Sequence, residues 1–298
     1  MKNILIIGCG LLGSSLLRRI QKKKIAKKIY IYEKSKVNIS KIKKLKLHVT
    51  IVNKLENVVT NSDLIILCTP MSEYKNIILK MNKFLSPKTI VTDIGSSKLE
   101  SLKIIKRFLR KDIFWISSHP IAGSEVSGPE YGKQDLFENK WCVLIKEKKT
   151  KKDHLNYLNK FWKKIGSKVV SMSAEKHDKI FSITSHLPHL VAYNLVKSAQ
   201  DFEKKQNYDL IKFSAGGLRD FSRIAASNEI MWRDIFFNNS QNMRKAIDLF
   251  IKNLNSFKKD INSKNNKSIL KKLIQTKKVR TKIIKLRQDI NKPDFGRN

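Results

Sequence analysis

The amino-acid sequence predicts two consecutive domains of different fold class, an α/β domain over residues 1–172 and an all-α helical domain over residues 173–298. As far as Ser171, short apolar runs alternate with helical patterns, which is typical of a parallel sheet with crossover helices. From about Ala174 onward these runs stop and apolar residues recur at helical spacing. A chain of 298 residues is long enough for two domains with a proper core.

The α/β domain contains eight runs with the length and composition of strands, at residues 3–7, 29–32, 49–52, 63–68, 89–93, 113–116, 141–145 and 168–171. Helices are predicted directly after the first strand and over residues 73–84 and 98–110.

The helical domain is interrupted only by Pro188 and a few glycines. We predict helices over residues 174–203, 207–216, 228–262 and 264–287, and we expect residues 291–298 to fray. Because Pro188 lacks a backbone donor, its helix is expected to kink near Thr184.

The first strand is followed by a glycine-rich turn and then by a helical pattern, so that the motif G-x-G-x-x-G stands between a strand and a helix. The first glycine of such a motif permits a tight turn, the second lets the backbone approach a pyrophosphate, and the third lets the helix pack on the strand. Glu33 ends the second strand 20 residues after Gly13, where a carboxylate accepts hydrogen bonds from the adenosine ribose. These features predict a Rossmann-type domain whose cofactor-binding residues include Gly8, Gly10, Leu11, Leu12, Gly13 and Glu33.

Glu33 favours NAD over NADP as the cofactor, because a carboxylate at this position repels a 2′-phosphate. Lys34 and Lys36 follow immediately and would partly offset that repulsion. NAD is therefore the expected cofactor.

Several predicted strands end in polar or glycine-containing segments. The carboxyl ends of parallel strands face the cofactor crevice, so we expect Thr69, Ser96 and His119 to converge there. Thr69 and Pro70, which follow the fourth strand, are expected to contact the cofactor.

His119 lies in a stretch, residues 117–129, that we predict to be a polar loop because it is rich in Gly and Ser. A single histidine beside a proline is more often structural than catalytic, and that alternative stays open on these residues alone. Next to a nicotinamide, however, a histidine suits hydride abstraction from a hydroxyl-bearing carbon, as hydrogen-bond acceptor or base.

Two histidines and two arginines of the helical domain are candidates for a substrate site. His186 and His189 are three residues apart and share a face if helical; polar core residues are the alternative. No third ligand has a suitable spacing, so no metal site is expected. Arg219 and Arg223 are four residues apart, and a guanidinium binds a carboxylate in a bidentate way that lysine does not. An ion pair with Asp220 or a neighbouring Glu is the alternative for one of the two.

Six segments that run in order through both halves resemble the prephenate/arogenate (cyclohexadienyl) dehydrogenases of tyrosine biosynthesis. They are residues 8–15, 93–98, 118–125, 186–189, 219–225 and 231–234. The His-Pro-Ile-Ala-Gly segment around His119 and the Arg-Asp-Phe-Ser-Arg-Ile-Ala segment from Arg219 are far more specific than the glycines.

The resemblance implies NAD-dependent oxidative decarboxylation of prephenate to 4-hydroxyphenylpyruvate, with arogenate as the alternative substrate. It implies that His119 accepts a hydrogen bond from the ring hydroxyl and that Ser96 orients the same group. It places Arg223, with Arg219 beside it, against the anionic substrate, and His189 at the substrate entrance or in contact with the ring. It also implies a homodimer formed through the helical domain.

The formal net charge of +37 raises the alternative of a basic nucleic-acid-binding protein. Only 11 of the 62 basic residues are Arg, and Lys is spread over nearly every helix together with many Ile and Asn. Proteins that bind phosphates or read bases rely heavily on Arg. We therefore attribute the charge to composition and expect no nucleic-acid partner.

The three cysteines, Cys9, Cys68 and Cys142, are far apart and stand in apolar or glycine-rich settings, as reduced thiols do. The N-terminal apolar run is too interrupted for a signal peptide, and no later stretch is long enough to span a bilayer. A cytoplasmic protein without a membrane partner is expected.

A second enzyme class stays open on the residues alone. Other two-domain NAD(P) dehydrogenases, such as hydroxyacid dehydrogenases or imine reductases, share this order of domains. They usually use a lysine or a different acid in the interdomain cleft, which would leave the His119 segment unexplained.

Overall fold

The structure is a computed structural model that describes residues 1–207 and 209–286. Six parallel strands form the central sheet of the first domain, in the spatial order β3-β2-β1-β4-β5-β6. They are β1 (Asn3–Ile7), β2 (Lys28–Tyr32), β3 (Thr50–Val52), β4 (Leu64–Leu67), β5 (Ile90–Asp93) and β6 (Phe114–Trp115). The strand order reverses between β1 and β4, and such a switch point opens a crevice at the carboxyl ends of the strands. The predicted parallel α/β domain is confirmed.

The side chains of β1 alternate between two apolar cores, one on each face of the sheet. Leu5 and Ile7 share a core with α4 (Tyr74–Met81) and α5 (Leu99–Phe108). Ile4 and Ile6 share the other core with α1 (Leu11–Lys22) and α6 (Lys152–Ile165). All four side chains are completely buried, as expected for a parallel strand covered on both faces. The short helices α2 (Lys36–Lys44) and α3 (Glu56–Val59) complete this domain.

A second sheet of three strands packs beside the first and contains β7 (Ser118–Pro120), β8 (Trp141–Ile145) and β9 (Lys168–Met172). β7 pairs antiparallel with β8, and β8 pairs parallel with β9. The prediction of a loop at His119 was therefore wrong, because His119 is the middle residue of β7. Ser118, which made the segment look like a loop, is buried and bonded to Thr92 and Trp162 at 2.6 and 3.1 Å. The rest of that segment has no strand before β8.

The helical domain contains α7 (Ala174–Phe181), α8 (Leu187–Gln206), α9 (Gly216–Ala225), α10 (Glu229–Asn238), α11 (Ser240–Asn262) and α12 (Asn266–Lys285). A π-helical turn, Ser182–His186, joins α7 to α8. This distortion contains Thr184, where the kink before Pro188 was expected. Among residues 1–207 and 209–286, no helix combines the length and apolar character that crossing a bilayer requires.

Two helix predictions in this domain were wrong. The predicted helix over residues 207–216 does not form: Asn207 ends α8 with a left-handed φ of 54°, and Ile211–Phe213 is a 3-10 turn. The predicted helix over residues 228–262 is divided at Asn239, whose buried side chain is used for tertiary hydrogen bonds. The predicted fraying over residues 291–298 and the end of the last helix at residue 287 lie outside the described residues.

Candidate active site

A cavity of about 650 Å³ opens where the carboxyl ends of β4 and β5 and the strand β7 meet the helical domain. Most of the residues that the sequence singled out line it: Gly10, Leu11, Leu12, Thr69, Pro70, Ser96, His119, His189 and Arg223. A second cavity of about 380 Å³ adjoins it and is lined by Gly8, Glu33, Thr69 and Pro70. Gly13 and Arg219 line neither. The structure thus brings residues from both domains to one place.

The turn after β1 has the shape that a dinucleotide phosphate needs. Gly8 has a φ of +87°, and a Cβ atom on it would lie 2.9 Å from the Cys68 carbonyl oxygen. A Cβ atom on Gly13 would lie 2.3 Å from the Gly8 carbonyl oxygen, so α1 packs closely on this turn. A Cβ atom on Gly10 would meet no heavy atom within 4 Å, because Gly10 borders the larger cavity. This open space at the N-terminus of a helix fits a pyrophosphate.

Glu33 is fixed at the edge of the smaller cavity by the backbone. Its two carboxylate oxygens accept hydrogen bonds from the N–H groups of Cys9, at 2.8 Å, and Ser35, at 2.9 Å. Each oxygen has a second lone pair, so the carboxylate can still accept hydrogen bonds from ribose hydroxyls. The residues present therefore fit an NAD-type dinucleotide.

His119 belongs to a buried chain of hydrogen bonds that the sequence did not predict. Its Nδ1 atom lies 2.8 Å from Nε2 of His177, and Nδ1 of His177 lies 2.7 Å from Oδ1 of Asp178. His177 and Asp178 are completely buried in α7, and His119 is only 8% exposed. A strand of the first domain and a helix of the second are thereby joined through two imidazoles.

The direction of these hydrogen bonds follows from what each group can donate. The Asp178 carboxylate only accepts, so Nδ1 of His177 carries the proton and its Nε2 is an acceptor when the ring is neutral. Nδ1 of His119 must then donate to His177, which leaves Nε2 of His119 with a free lone pair. Because His119 lines the larger cavity, this lone pair is the nitrogen acceptor that the residue can offer to a ligand.

The Asp178 carboxylate is anchored to the first domain by backbone N–H groups. It accepts from the N–H of Lys98, at 2.9 Å, and from that of Leu99, at 2.9 Å, at the N-terminus of α5. Anions are favoured at a helix N-terminus, where N–H groups lack partners within the helix. The orientation of the two imidazoles is thus tied to the loop that carries Ser96.

A buried ion pair lies beside the catalytic candidates. The Lys98 ammonium and the Asp93 carboxylate are 2.7 Å apart and completely buried, and Lys98 also donates to the Ser118 carbonyl at 2.6 Å. Asp93 in turn accepts from the Tyr74 hydroxyl and from the Gly95 N–H, both at 3.0 Å. These contacts fix the backbone on either side of Ser96 and immediately before His119.

Burial controls the protonation of the histidines at this site. Burial lowers the pKa of His119 well below its usual value of 6.5, and the neighbouring His177 and Lys98 lower it further. Burial also lowers the pKa of His177, against the opposing effect of its hydrogen bond to Asp178. His119 is therefore neutral near pH 7, as an acceptor must be.

The two histidines near Pro188 differ in burial, although both rings pack against Trp232. Nδ1 of His189 lies 2.9 Å from the Ser185 carbonyl, and its ring stacks on Trp232 at 3.8 Å on the cavity wall. His186 is completely buried behind the cavity, bonded to Asn239 at 3.1 Å, and burial lowers its pKa to about 4. Both rings contact Trp232, which agrees with the predicted shared face, but only His189 lines the cavity.

Arg223 lines the cavity, whereas Arg219 is exposed on the same helix and does not. Nη1 of Arg223 lies 3.5 Å from the Glu125 carboxylate, which also accepts from the Ser124 hydroxyl at 2.8 Å. Among the described residues, three residues that line the cavity have a buried polar atom without a hydrogen-bond partner. The atoms are Nε of Arg223, Nε1 of Trp232 and Oγ1 of Thr69. Buried polar groups normally have partners, so these three atoms favour a polar ligand in the cavity.

The sequence prediction missed His177, Asp178 and the role of Lys98 beside Asp93. The available signal was the adjacent pair His177 and Asp178 near the start of a predicted helix. Helical spacing alone did not show which face of that helix packs against β7. Lys98 was quoted only as part of a motif, since a lysine in a chain with 62 basic residues carries little information.

Sequence comparison gives a consistent family for both domains. The family model for the prephenate dehydrogenase nucleotide-binding domain matches residues 16–171, and that for the prephenate dehydrogenase dimerization domain matches residues 173–276. A cyclohexadienyl dehydrogenase of Zymomonas mobilis is 32% identical over 279 residues, covering 94% of this chain and 95% of that protein. A prephenate dehydrogenase of Bacillus subtilis is 31% identical over 257 residues, covering 86% and 69%.

Structural comparison agrees with the sequences. The crystal structure of a prephenate dehydrogenase from Aquifex aeolicus, in complex with hydroxyphenyl propionate and NAD+, superposes with a TM-score of 0.88 at 36% identity. The match covers 95% of this chain and 98% of that one. Both domains, their order and their sequence matches thus agree, and the chain belongs to the prephenate dehydrogenase family.

Proposed function

We propose that this protein catalyses the NAD-dependent oxidative decarboxylation of prephenate to 4-hydroxyphenylpyruvate in tyrosine biosynthesis. One observation carries the proposal: a neutral His119, held by His177 through Nδ1, offers Nε2 in a cavity that also contains the glycine turn. Membership of the family supports the reaction class, an NAD-dependent oxidoreductase. The fit of the turn and of Glu33 to a dinucleotide supports the cofactor.

In this proposal His119 and Ser96 bind the hydroxyl of the substrate ring. Nε2 of His119 accepts the hydroxyl hydrogen bond and stabilises the carbonyl character that develops as hydride leaves the same carbon. Ser96 orients the hydroxyl from the neighbouring loop. Bound NAD+ supplies the hydride acceptor.

The helical domain binds the anionic part of the substrate in this proposal. Arg223 binds a substrate carboxylate through its guanidinium, and His189 contacts the ring or lines the entrance. Arg219, which was also predicted to bind substrate, is exposed and does not line the cavity. The cavity of the single chain therefore does not support a substrate-binding role for Arg219. Loss of CO2 is driven by aromatisation of the ring, so the chain needs to supply mainly position and charge placement.

Arogenate, the amino counterpart of prephenate, is the second candidate substrate. The Zymomonas relative, which matches nearly the whole chain, is named a cyclohexadienyl dehydrogenase. This name favours arogenate as a second substrate beside prephenate. NADH formation, followed at 340 nm with each substrate and with NAD+ or NADP+, tests the proposal. We expect turnover of prephenate with NAD+. If neither substrate is turned over, the proposed function is wrong.

We further propose that the protein is a homodimer assembled through its helical domain. Among the described residues, α9 and α12 contain no buried residue, and α8, 20 residues long, contains only Ala192. Helices in proteins are stabilised chiefly by packing an apolar face, so these helices favour a further packing partner. Sedimentation equilibrium is expected to give twice the mass of 34.6 kDa, and a monomer at micromolar concentration would contradict the proposal.

We also propose a domain boundary between residues 172 and 173 and a cytoplasmic location. The end of β9 at Met172 and the start of α7 at Ala174 support the boundary. The three unpaired cysteines, two of them buried, are compatible with a reducing compartment. Limited proteolysis and fractionation of cells that express the tagged protein test the two proposals.

A further inference from the structure

A lysine and a glutamate form an ion pair in the wall of the smaller cavity, beside the predicted ribose site. Lys34 follows Glu33 directly, between β2 and α2, and Glu73 lies just before α4. Nζ of Lys34 is 2.5 Å from Oε2 of Glu73, and both residues line the cavity together with Glu33. The pair therefore connects the segments that follow β2 and β4.

Lys34 lies where an unpaired ammonium could bind the 2′-phosphate of NADP. The carboxylate of Glu33 is placed to accept hydrogen bonds from ribose hydroxyls, so a phosphate on the 2′ oxygen would lie against the neighbouring residues. A lysine ammonium at this place is a ready phosphate partner. Left unpaired, Lys34 would offset the repulsion that Glu33 exerts on NADP.

In the structure, the ammonium of Lys34 is paired with the carboxylate of Glu73. Its hydrogen bond to Glu73 raises the pKa of Lys34, so the ammonium stays charged and paired with a carboxylate. The sequence-based expectation that Lys34 and Lys36 weaken the preference for NAD thus lacks support for Lys34. Paired with Glu73, the ammonium is neutralised, so Glu33 carries the net charge of this wall of the cavity.

We propose that Glu73 is a second residue that sets the preference for NAD over NADP, acting through Lys34. By pairing with Lys34, Glu73 withholds the ammonium from a 2′-phosphate and leaves Glu33 as the charge that the phosphate meets. The inference rests on the proposed use of a nicotinamide dinucleotide, and it goes beyond the role of Glu33.

The pair is suited to a direct test because it contributes little to folding. The Lys34 side chain is 50% exposed and that of Glu73 is 36% exposed. Exposed ion pairs of this kind add little to stability, so Glu73→Gln is expected to fold normally. Glutamine keeps the size of the side chain and removes only its charge.

The experiment measures the Kd of NAD+ and of NADP+ by isothermal titration calorimetry, on the full-length protein at one low ionic strength. Low ionic strength is needed because salt screens exposed charges. For Glu73→Gln we expect NADP+ to bind up to about fivefold more tightly, because a 2′-phosphate then need not break an exposed ion pair to reach Lys34, with NAD+ changed less than twofold. In Glu73→Gln/Lys34→Met this gain is expected to disappear, whereas Glu73→Gln/Lys36→Met should keep it.

Two outcomes would overturn the inference. One is an equal change in the affinities for NAD+ and NADP+, which would indicate a general effect on the cavity. The other is a gain that persists in the double variant with Lys34→Met, since the charge of Glu73 alone would then explain it. Binding does not require prephenate, so a protein that binds NAD+ but does not turn over prephenate would refute the proposed reaction and still decide this inference.

Discussion

The Nδ1 atom of His119 lies 2.8 Å from the Nε2 atom of His177, and this contact links a strand of the nucleotide-binding domain to the first helix of the helical domain. His177 is itself held by Asp178, so the contact fixes which nitrogen of His119 carries the proton. The orientation and the tautomer of His119 therefore depend on how the two domains pack. The catalytic competence of the site is expected to follow from that packing.

Replacing His177 by leucine is expected to lower kcat by about 10- to 100-fold, less than the loss expected for a general acid–base group itself. Without its acceptor, Nδ1 of His119 is left buried and unpaired, and the proton is free to move to Nε2. We expect the KM for NAD+ to change little. Steady-state kinetics measure both values, and His48→Leu, which alters an exposed histidine that lines neither cavity, is the control. An unchanged kcat in His177→Leu would refute the positioning role.

Replacing Arg223 by alanine is expected mainly to raise the KM for prephenate, because a group that binds substrate and transition state alike contributes uniform binding. Loss of a charge-assisted hydrogen bond corresponds to roughly a 10- to 100-fold increase in KM. Arg223→Lys should recover only part of the loss, since the bidentate geometry is absent. If kcat falls as far in Arg223→Ala as in His119→Asn, the division of roles is wrong.

Replacing Lys98 by methionine is expected to destabilise the fold by about 3–5 kcal/mol, because Asp93 would remain buried without its partner. The ammonium and carboxylate are both 0% exposed. The control is Lys103→Met in α5, whose partner Glu100 is exposed and whose loss should cost less than about 1 kcal/mol. Urea unfolding measures both values, and equal costs would argue against the buried pair as a structural element.

The free energy of unfolding is expected to decrease as the pH falls from about 6.5 to 4. His186 binds a proton near pH 6.5 when unfolded but only near a pKa of about 4 when folded, so in this window the unfolded state holds more protons. One such group gives a slope of about 1.4 kcal/mol per pH unit. Urea unfolding at several pH values should give a flatter curve for His186→Gln than for the wild type or His48→Gln. Parallel curves would show that His186 is not the group responsible.

The first domain was predictable because its signals are local. Apolar runs of strand length, the glycine turn and Glu33 each reflect the backbone geometry at their own positions. The same local reasoning placed Thr69 and Ser96 at the carboxyl edge of the parallel sheet, and both line the cavity. His119 lines it too, but from β7 of the second sheet.

The remaining features depend on contacts between distant segments. The strand at His119 forms only by pairing with β8, more than 20 residues later, and Ser118 is buried because Trp162 and Thr92 bond to it. His186 is buried against Asn239, whereas His189 lines the cavity, and this difference depends on how the later helices pack on α8. Neither effect has a signature in the spacing of apolar residues.

The most direct test of the central claim compares wild type and His119→Asn in one assay that records NADH, CO2 and 4-hydroxyphenylpyruvate from prephenate. The wild type is expected to form the three products in equal amounts. His119→Asn is expected to have a kcat lower by about 10²–10⁴-fold, the range for loss of a general acid–base group, with an unchanged Kd for NAD+. Full activity in His119→Asn, or NADH formation without CO2 in the wild type, would contradict the account.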